Sequence, residues 1–279
     1  MGTGSLAAST SWRLAAPHDA EAQGLIASPF GHLDFGLALL LQVQKGAGGA
    51  WVGALLAAVP SITPALKSDT PSLALAFTWT GLSALGLDSE SLASFSTPFT
   101  EGMRQIDRQR RLGDDGPTVI QGGAIWSGNA PDTFAPQGAV VAAPTPTTVH
   151  AALLLYDNSP TALAALASQM EGLLTSHKVA IVRRVDLSLM RGADGNVREH
   201  FGFVDGISQP VPYGLTIKPP QPDLDRDRRQ AIAPGDILLG HTDAAGDLVP
   251  GPLTPEASVK GAKVGLRQGQ APPGYRDLG

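Results

Sequence analysis

An α+β fold, an antiparallel sheet covered on one face by two helices, is what this sequence predicts, and three observations predict it. Four apolar runs have the length of strands and are bounded by Gly, Pro or polar clusters. Two stretches between them carry apolar residues at helical spacing. A long segment rich in Gly and Pro divides the series in the middle. The order is therefore strand, helix, strand, insertion, strand, helix, strand, which is the split βαβ or ferredoxin-like pattern.

Residues 1–22 read as a flexible leader. Residues 36–44 (GLALLLQVQ) form the first strand and 46–49 a loop. Residues 50–59 place Trp51, Leu55 and Leu56 at helical spacing. Residues 72–80 (SLALAFTWT) alternate and read as the second strand. Short helices follow over 81–87 and 90–95, and a helix with a polar face over 98–111. The Gly- and Pro-rich insertion occupies 113–146. Residues 148–156 (TVHAALLLY) give the third strand. Ser159-Pro160 then marks a helix start, cap followed by Pro at the first helical position, and that helix runs to about Ser176. Residues 179–189 give the fourth strand. The ferredoxin-like domain is expected over 23–210, and 211–279 as an irregular extension. Within the extension, 232–240 (IAPGDILLG) read as a short hairpin or turn, and 242–279 show no period. A domain rarely ends in such a tail, so a second domain is expected to follow it.

Composition narrows the function. The chain has 279 residues, 43% of them apolar, enough for a sizeable core. Only 16% are charged and the net charge is -5, which argues against nucleic acid and against an acidic membrane surface. There is no Cys, so disulfides, thiolate metal sites and Cys nucleophiles are excluded. Neither a secretory signal nor an apolar run of membrane-spanning length is legible. A cytoplasmic location is the expectation.

One stretch carries chemistry: His200-Phe201-Gly202-Phe203-Val204-Asp205-Gly206-Ile207-Ser208-Gln209-Pro210. A lone acid sits there among Phe201, Phe203, Val204 and Ile207, without a Lys or Arg in the run. Apolar neighbours of this kind remove water and raise a carboxyl pKa toward proton-shuttling range. Gly202 and Gly206 allow turns and close backbone approach to a flat ligand.

With Glu199 before it, this run resembles the signature of dye-decolorising (DyP-type) haem peroxidases, whose G-x-x-D-G hallmark corresponds to Gly202–Gly206. Residues 76–87 resemble the family's strand-to-helix segment, and Phe95, Pro98, Phe99, Gly102 and Met103 the helix after it. Leu112-Gly113-Asp114 fits the next turn, and residues 233–240 resemble a later loop. The resemblance spans roughly 24–240. It implies haem b as cofactor, hydrogen peroxide as oxidant, and dyes, phenols or similar organic electron donors as substrates. It makes Asp205 the distal acid–base group and places Phe203, Gly206, Ile207 and Ser208 at the haem. It also implies that the proximal His and distal Arg lie downstream, so this sequence is expected to stop short of the iron ligand. A homo-oligomer or a complementary second domain would then provide it.

Other residues carry weaker signals. His200 and His241 are candidate iron ligands, against an ordinary hydrogen-bonded or surface role. His150 reads as a strand residue, and His18, His32 and His177 make no metal spacing. Trp51, Trp79, Trp126, Tyr156, Tyr213 and Tyr275 are either packing residues or conduits for oxidising equivalents. Arg183, Arg184, Arg191 and Arg198 suit haem propionates or a solvated strand end. The competing readings of the whole are a haem-free ferredoxin-like binding module and a related haem-handling, iron-releasing protein.

Overall fold

The computed structural model describes residues 23–27, 30, 33–58, 71–102, 132–133, 146–147, 149–204, 210–212, 231–255 and 273–277. After a single helical turn, α1 (Gly24–Ala27), the main unit is built from β1 (Phe35–Val43), α2 (Ala50–Ala58) and β2 (Ser72–Phe77). Three short helices follow: α3 (Trp79–Ala84), α4 (Ser89–Ala93) and α5 (Thr97–Glu101). Within the predicted insertion, β3 (Asp132–Thr133) pairs antiparallel with β4 (Pro146–Thr147). Then come β5 (Ala151–Asp157), α6 (Pro160–Ser176) and β6 (Val179–Ser188). The sheet order β2-β5-β1-β6 with antiparallel pairing throughout is the ferredoxin-like arrangement.

The core follows from side-chain alternation. Leu37, Leu39 and Leu41 of β1, Leu73 and Leu75 of β2, and Leu153 and Leu155 of β5 share one face of the sheet. Trp51 and Leu55 of α2, with Met170 and Leu174 of α6, close over that face. Burial of these side chains is the main stabilising contribution, about 1.5–3 kcal/mol each. A register shift between Leu40 and Leu41 against β6 marks a bulge in that ladder. On the far face Gly36 lies beneath Tyr156, where a Cβ would come within 2.9 Å of the ring. Phe30 meets Tyr156 edge to face at 5.2 Å between ring centroids. At the outer edge of β2, Gln23 meets Leu75. The Gln23 amide donates to the Leu75 carbonyl and accepts from the Leu75 N–H, both at 2.8 Å.

Several boundaries differ from expectation. The second strand stops at Phe77 rather than running to residue 80. Thr78 turns its hydroxyl back to accept the Gly81 N–H at 3.1 Å, capping α3, so Trp79 and Thr80 are helical. The third strand begins at Ala151, which leaves His150 just ahead of it rather than inside it. α5 ends at Glu101 because Gly102 adopts φ 67°, outside helical space; residues 103–111 of the expected helix lie outside the described residues. The α6 start is as expected, with the Ser159 hydroxyl accepting from Ala162 N–H and Pro160 at the first position.

Beyond β6 the chain makes a small meander, β7 (Met190–Arg191) and β8 (Val197–Arg198), then an isolated bridge from Arg198 to Val204. Two further short strands, β9 (Val211–Pro212) and β10 (Ala231–Ile232), pair parallel. Residues 234–236 form one 3-10 turn. The last pair, β11 (Leu253–Pro255) and β12 (Tyr275–Asp277), is antiparallel and joins the main unit at α4. There Leu253 N–H donates to Ser94 Oγ at 2.8 Å, and the Tyr275 hydroxyl donates to Asp88 at 3.2 Å.

Candidate functional site

The segment leading to Asp205 is a pair of consecutive hairpin turns of identical build. In the first, Gly195 N–H donates to the Gly192 carbonyl and Gly192 N–H to the Asn196 carbonyl, both at 2.9 Å. In the second, seven residues on, Gly202 N–H donates to Glu199 at 2.9 Å and Glu199 N–H to Phe203 at 3.0 Å. Each is a type I turn followed by a glycine in the left-handed region, Gly195 at φ 77° and Gly202 at φ 88°. The same turn recurs at residues 243–247 around Gly246, φ 88°. The first glycine of the G-x-x-D-G run is thus required by a turn.

Two arginines brace the meander. Arg198 Nη1 donates to the Gly202 carbonyl at 2.8 Å while Nη2 pairs with Asp194 Oδ2 at 2.5 Å. Arg191 pairs with Asp34, at the start of β1, and reaches toward the Gly195 carbonyl at 3.5 Å. Asp194 is held by Asn196, whose side chain donates to Oδ2 at 2.9 Å and whose backbone donates to Oδ1 at 3.2 Å. These Asn196 bonds, and then the Arg198 charge, keep its carboxyl below the usual range.

On this frame the aromatics point outward. Phe201 is 86% exposed and Phe203 71% exposed, so neither is a core residue. Large apolar side chains exposed on a turn offer a surface for an apolar partner. Of the residues expected at the haem, Phe203 is therefore placed at the accessible end of the meander. Asp205, Gly206, Ile207 and Ser208 lie outside the described residues.

No family model matches the chain. It is 28% identical over 193 residues to a dye-decolorizing peroxidase of Mycena epipterygia, covering 67% of this chain and 30% of that protein. A solved dye-decolorizing peroxidase in complex with 2,6-dimethoxyphenol is 26% identical with a TM-score of 0.57, covering 84% of this chain and 47% of the other. Both of these proteins are named dye-decolorizing peroxidases. The decolorizing peroxidase of Auricularia auricula-judae, 21% identical with a TM-score of 0.50 over 72% of this chain and 39% of that one, shares the fold. The chain spans 30% of the curated relative and 47% and 39% of these two solved ones.

The other candidates separate cleanly. His150 Nδ1 accepts the Val43 N–H at 2.9 Å, its carbonyl accepts from Thr78 N–H and Thr78 Oγ1, and its N–H donates to Leu41. Burial lowers its pKa. It joins β1, β5 and the start of α3. His177 lies at the α6 C-terminus with its Nδ1 2.9 Å from the Leu173 carbonyl. His200 is exposed at the second turn, and His241 lies in the 233–249 loop. His18, His32, Trp126 and Tyr213 are outside the described residues. Among the described residues, no group of three His, Asp or Glu side chains is placed to hold a metal. Trp51 is fully buried, and Trp79 donates from Nε1 to the Leu92 carbonyl at 2.9 Å, so both are packing residues here. Tyr156 is raised in pKa by burial. Arg184 pairs with Glu171 of α6. The brace formed by Arg198 was not legible beforehand, although the repeat of glycine at 195 and 202 signals the twin turns.

Proposed function

We propose that this chain works in a haem-dependent peroxidase of the dye-decolorising type, in which hydrogen peroxide oxidises dyes, phenols or similar one-electron donors. The observation that carries the reading is the braced hairpin 198–204, which exposes Phe201 and Phe203 immediately before Asp205. The relatives' names agree with it. Haem, when bound, supplies the redox chemistry for cleaving the O–O bond of hydrogen peroxide. Phe203, Gly206, Ile207 and Ser208 would line its edge, and the apolar aromatics would exclude water there. Asp205 accepts a proton from one peroxide oxygen and returns it to the other, which leaves as water. Over a full turnover one hydrogen peroxide takes two electrons and two protons, one electron from each of two donors, and gives two waters.

Neither His150 nor His200 is proposed as the iron ligand. His150 accepts the Val43 N–H at Nδ1, which puts its ring proton on Nε2, and His200 lies only five residues before the proposed distal acid, whereas a proximal ligand must approach from the opposite face. A complementary second domain or a second subunit is proposed to supply it. A cytoplasmic location is proposed, in keeping with the absence of Cys; no described helix is long and apolar enough to cross a membrane.

The test is haemin titration followed by peroxide-dependent dye bleaching, with this chain alone and with the downstream half supplied in trans. A Soret band and bleaching are expected in the second case. Failure of haem uptake in both would favour the haem-free binding module, and iron release without bleaching the haem-handling reading. Asp205→Asn should abolish peroxide cleavage while haem uptake persists; an unchanged rate removes the proton-shuttle role.

A further inference from the structure

We propose that Arg198 is a positioning residue for the peroxide-cleaving acid, fixing through the Gly202 carbonyl the backbone from which Asp205 issues, with Asp194 as its anchor. The inference rests on the proposed role of Asp205 and adds the residues that set its approach.

The geometry is specific to the guanidinium. Its two terminal nitrogens bridge acceptors on two different turns, the Asp194 carboxylate of the first and the Gly202 carbonyl of the second. A planar fork spans two such acceptors at once; a lysine ammonium on a flexible stem is not preorganised to do so. The carbonyl it holds belongs to the left-handed glycine of the turn, three residues before Asp205. The turn then returns to bridge Val204 against Arg198 itself. Thus one residue holds the hairpin at both ends, by its backbone at the mouth and by its side chain at the tip.

The niche for the guanidinium is built. A Cβ at Gly192 would come within 2.4 Å of Arg198 Nε and 2.6 Å of Asp194 Oδ1. Gly192 therefore leaves the space through which Arg198 reaches both partners. Asp194 is in turn oriented by the two Asn196 bonds. Arg191 repeats the device one turn earlier, with Asp34 as anchor and the Gly195 carbonyl as target. The two braces run in series from the start of β1 to the residue before Asp205. Both ion pairs are partly exposed, and pairs of that kind add little to global stability. Their effect is on the local geometry of the turn.

Four variants test this: Arg198→Ala, Arg198→Lys, Asp194→Asn and Gly192→Ala, the last displacing the guanidinium without removing its charge. The first readout is amide hydrogen exchange in the chain without haem. Exchange at Glu199 and Gly202 should rise about ten-fold in Arg198→Ala, as expected when a charge-assisted hydrogen bond is lost, with α6 unchanged. Gly192→Ala should behave alike, and Arg198→Lys should recover only part. The second readout is the haem-loaded peroxidase, in which Arg198→Ala should slow peroxide cleavage about ten-fold or more through misplacement of the acid, with KM for the dye unchanged. Unchanged exchange, or raised exchange with an unaltered cleavage rate, overturns the positioning role. An Asp205→Asn enzyme at full rate instead defeats the acid–base reading, leaving the exchange result to stand by itself.

Discussion

At the residue scale, glycines at two positions serve opposite ends. Gly202 has open space around its missing side chain but a φ of 88°. Gly81 has ordinary helical φ, but a Cβ there would sit 1.8 Å from the His150 carbonyl oxygen. Gly202→Ala should therefore cost about 1–2 kcal/mol of conformational strain confined to the hairpin. Gly81→Ala should push α3 from β5 and lower the melting temperature further. Thermal melts of the two, with exchange at Glu199, check the contrast. His150 gives a prediction with a sign. Burial lowers its folded pKa below the ordinary 6.5, and its Nδ1 must be unprotonated to accept the Val43 N–H. The stability that depends on neutral His150 is present above the unfolded value and is lost as pH falls through the lowered folded value. Melting temperature measured from about pH 7.5 to about pH 5 should fall more steeply in the parent than in His150→Gln. Equal slopes would count against it. The motif's first glycine was legible as a turn residue. The Arg198 brace was not, because it depends on which carbonyl the second turn presents.

At the element scale, legibility tracks how many independent signals coincide. β1 and α6 each combine a period with a boundary residue, and both fall within one or two residues of expectation. The β2–α3 boundary was misread because SLALAFTWT keeps its alternation through Trp79 while Thr78 has already turned to cap the helix. Alternation reports side-chain polarity, not where a hydroxyl finds its donor. The strands of the meander and the extension are two or three residues long, too short to show any period. The packing of α6 on the sheet should be the dominant local term. Met170 is fully buried against it, so Met170→Ala is expected to destabilise by about 2–5 kcal/mol in urea unfolding. Ser168→Ala, on the exposed side of the same helix, should stay within about 0.5 kcal/mol.

At the scale of the whole molecule, the four-stranded sheet is the frame to which the later segments attach. Its helix-covered face was legible from composition and order, and the relatives share the arrangement. The meander continues directly from β6 and is tied back to the start of β1 through Leu189 N–H to the Asp34 carbonyl at 3.2 Å and the Arg191–Asp34 pair. The C-terminal pair β11–β12 is latched to α4 by Ser94 and by Tyr275 on Asp88, an attachment made by isolated polar contacts that no pattern announces. Asp88 is kept below the usual carboxylate range chiefly by the Ser91 N–H, so it accepts from Tyr275 as an anion. The two edges of the sheet differ. β6 passes into the meander, whereas β2 is met at Leu75 by a side-chain amide that imitates one peptide unit of a neighbouring strand. Gln23→Ala would leave that N–H and carbonyl without this partner, and such an edge is a template for recruiting foreign strands. Light scattering against concentration should then show self-association that the parent resists, accompanied by faster exchange at Leu75; a monodisperse variant would argue otherwise. On that outcome, the two hydrogen bonds of Gln23 would bear on how long the protein survives in a crowded solution.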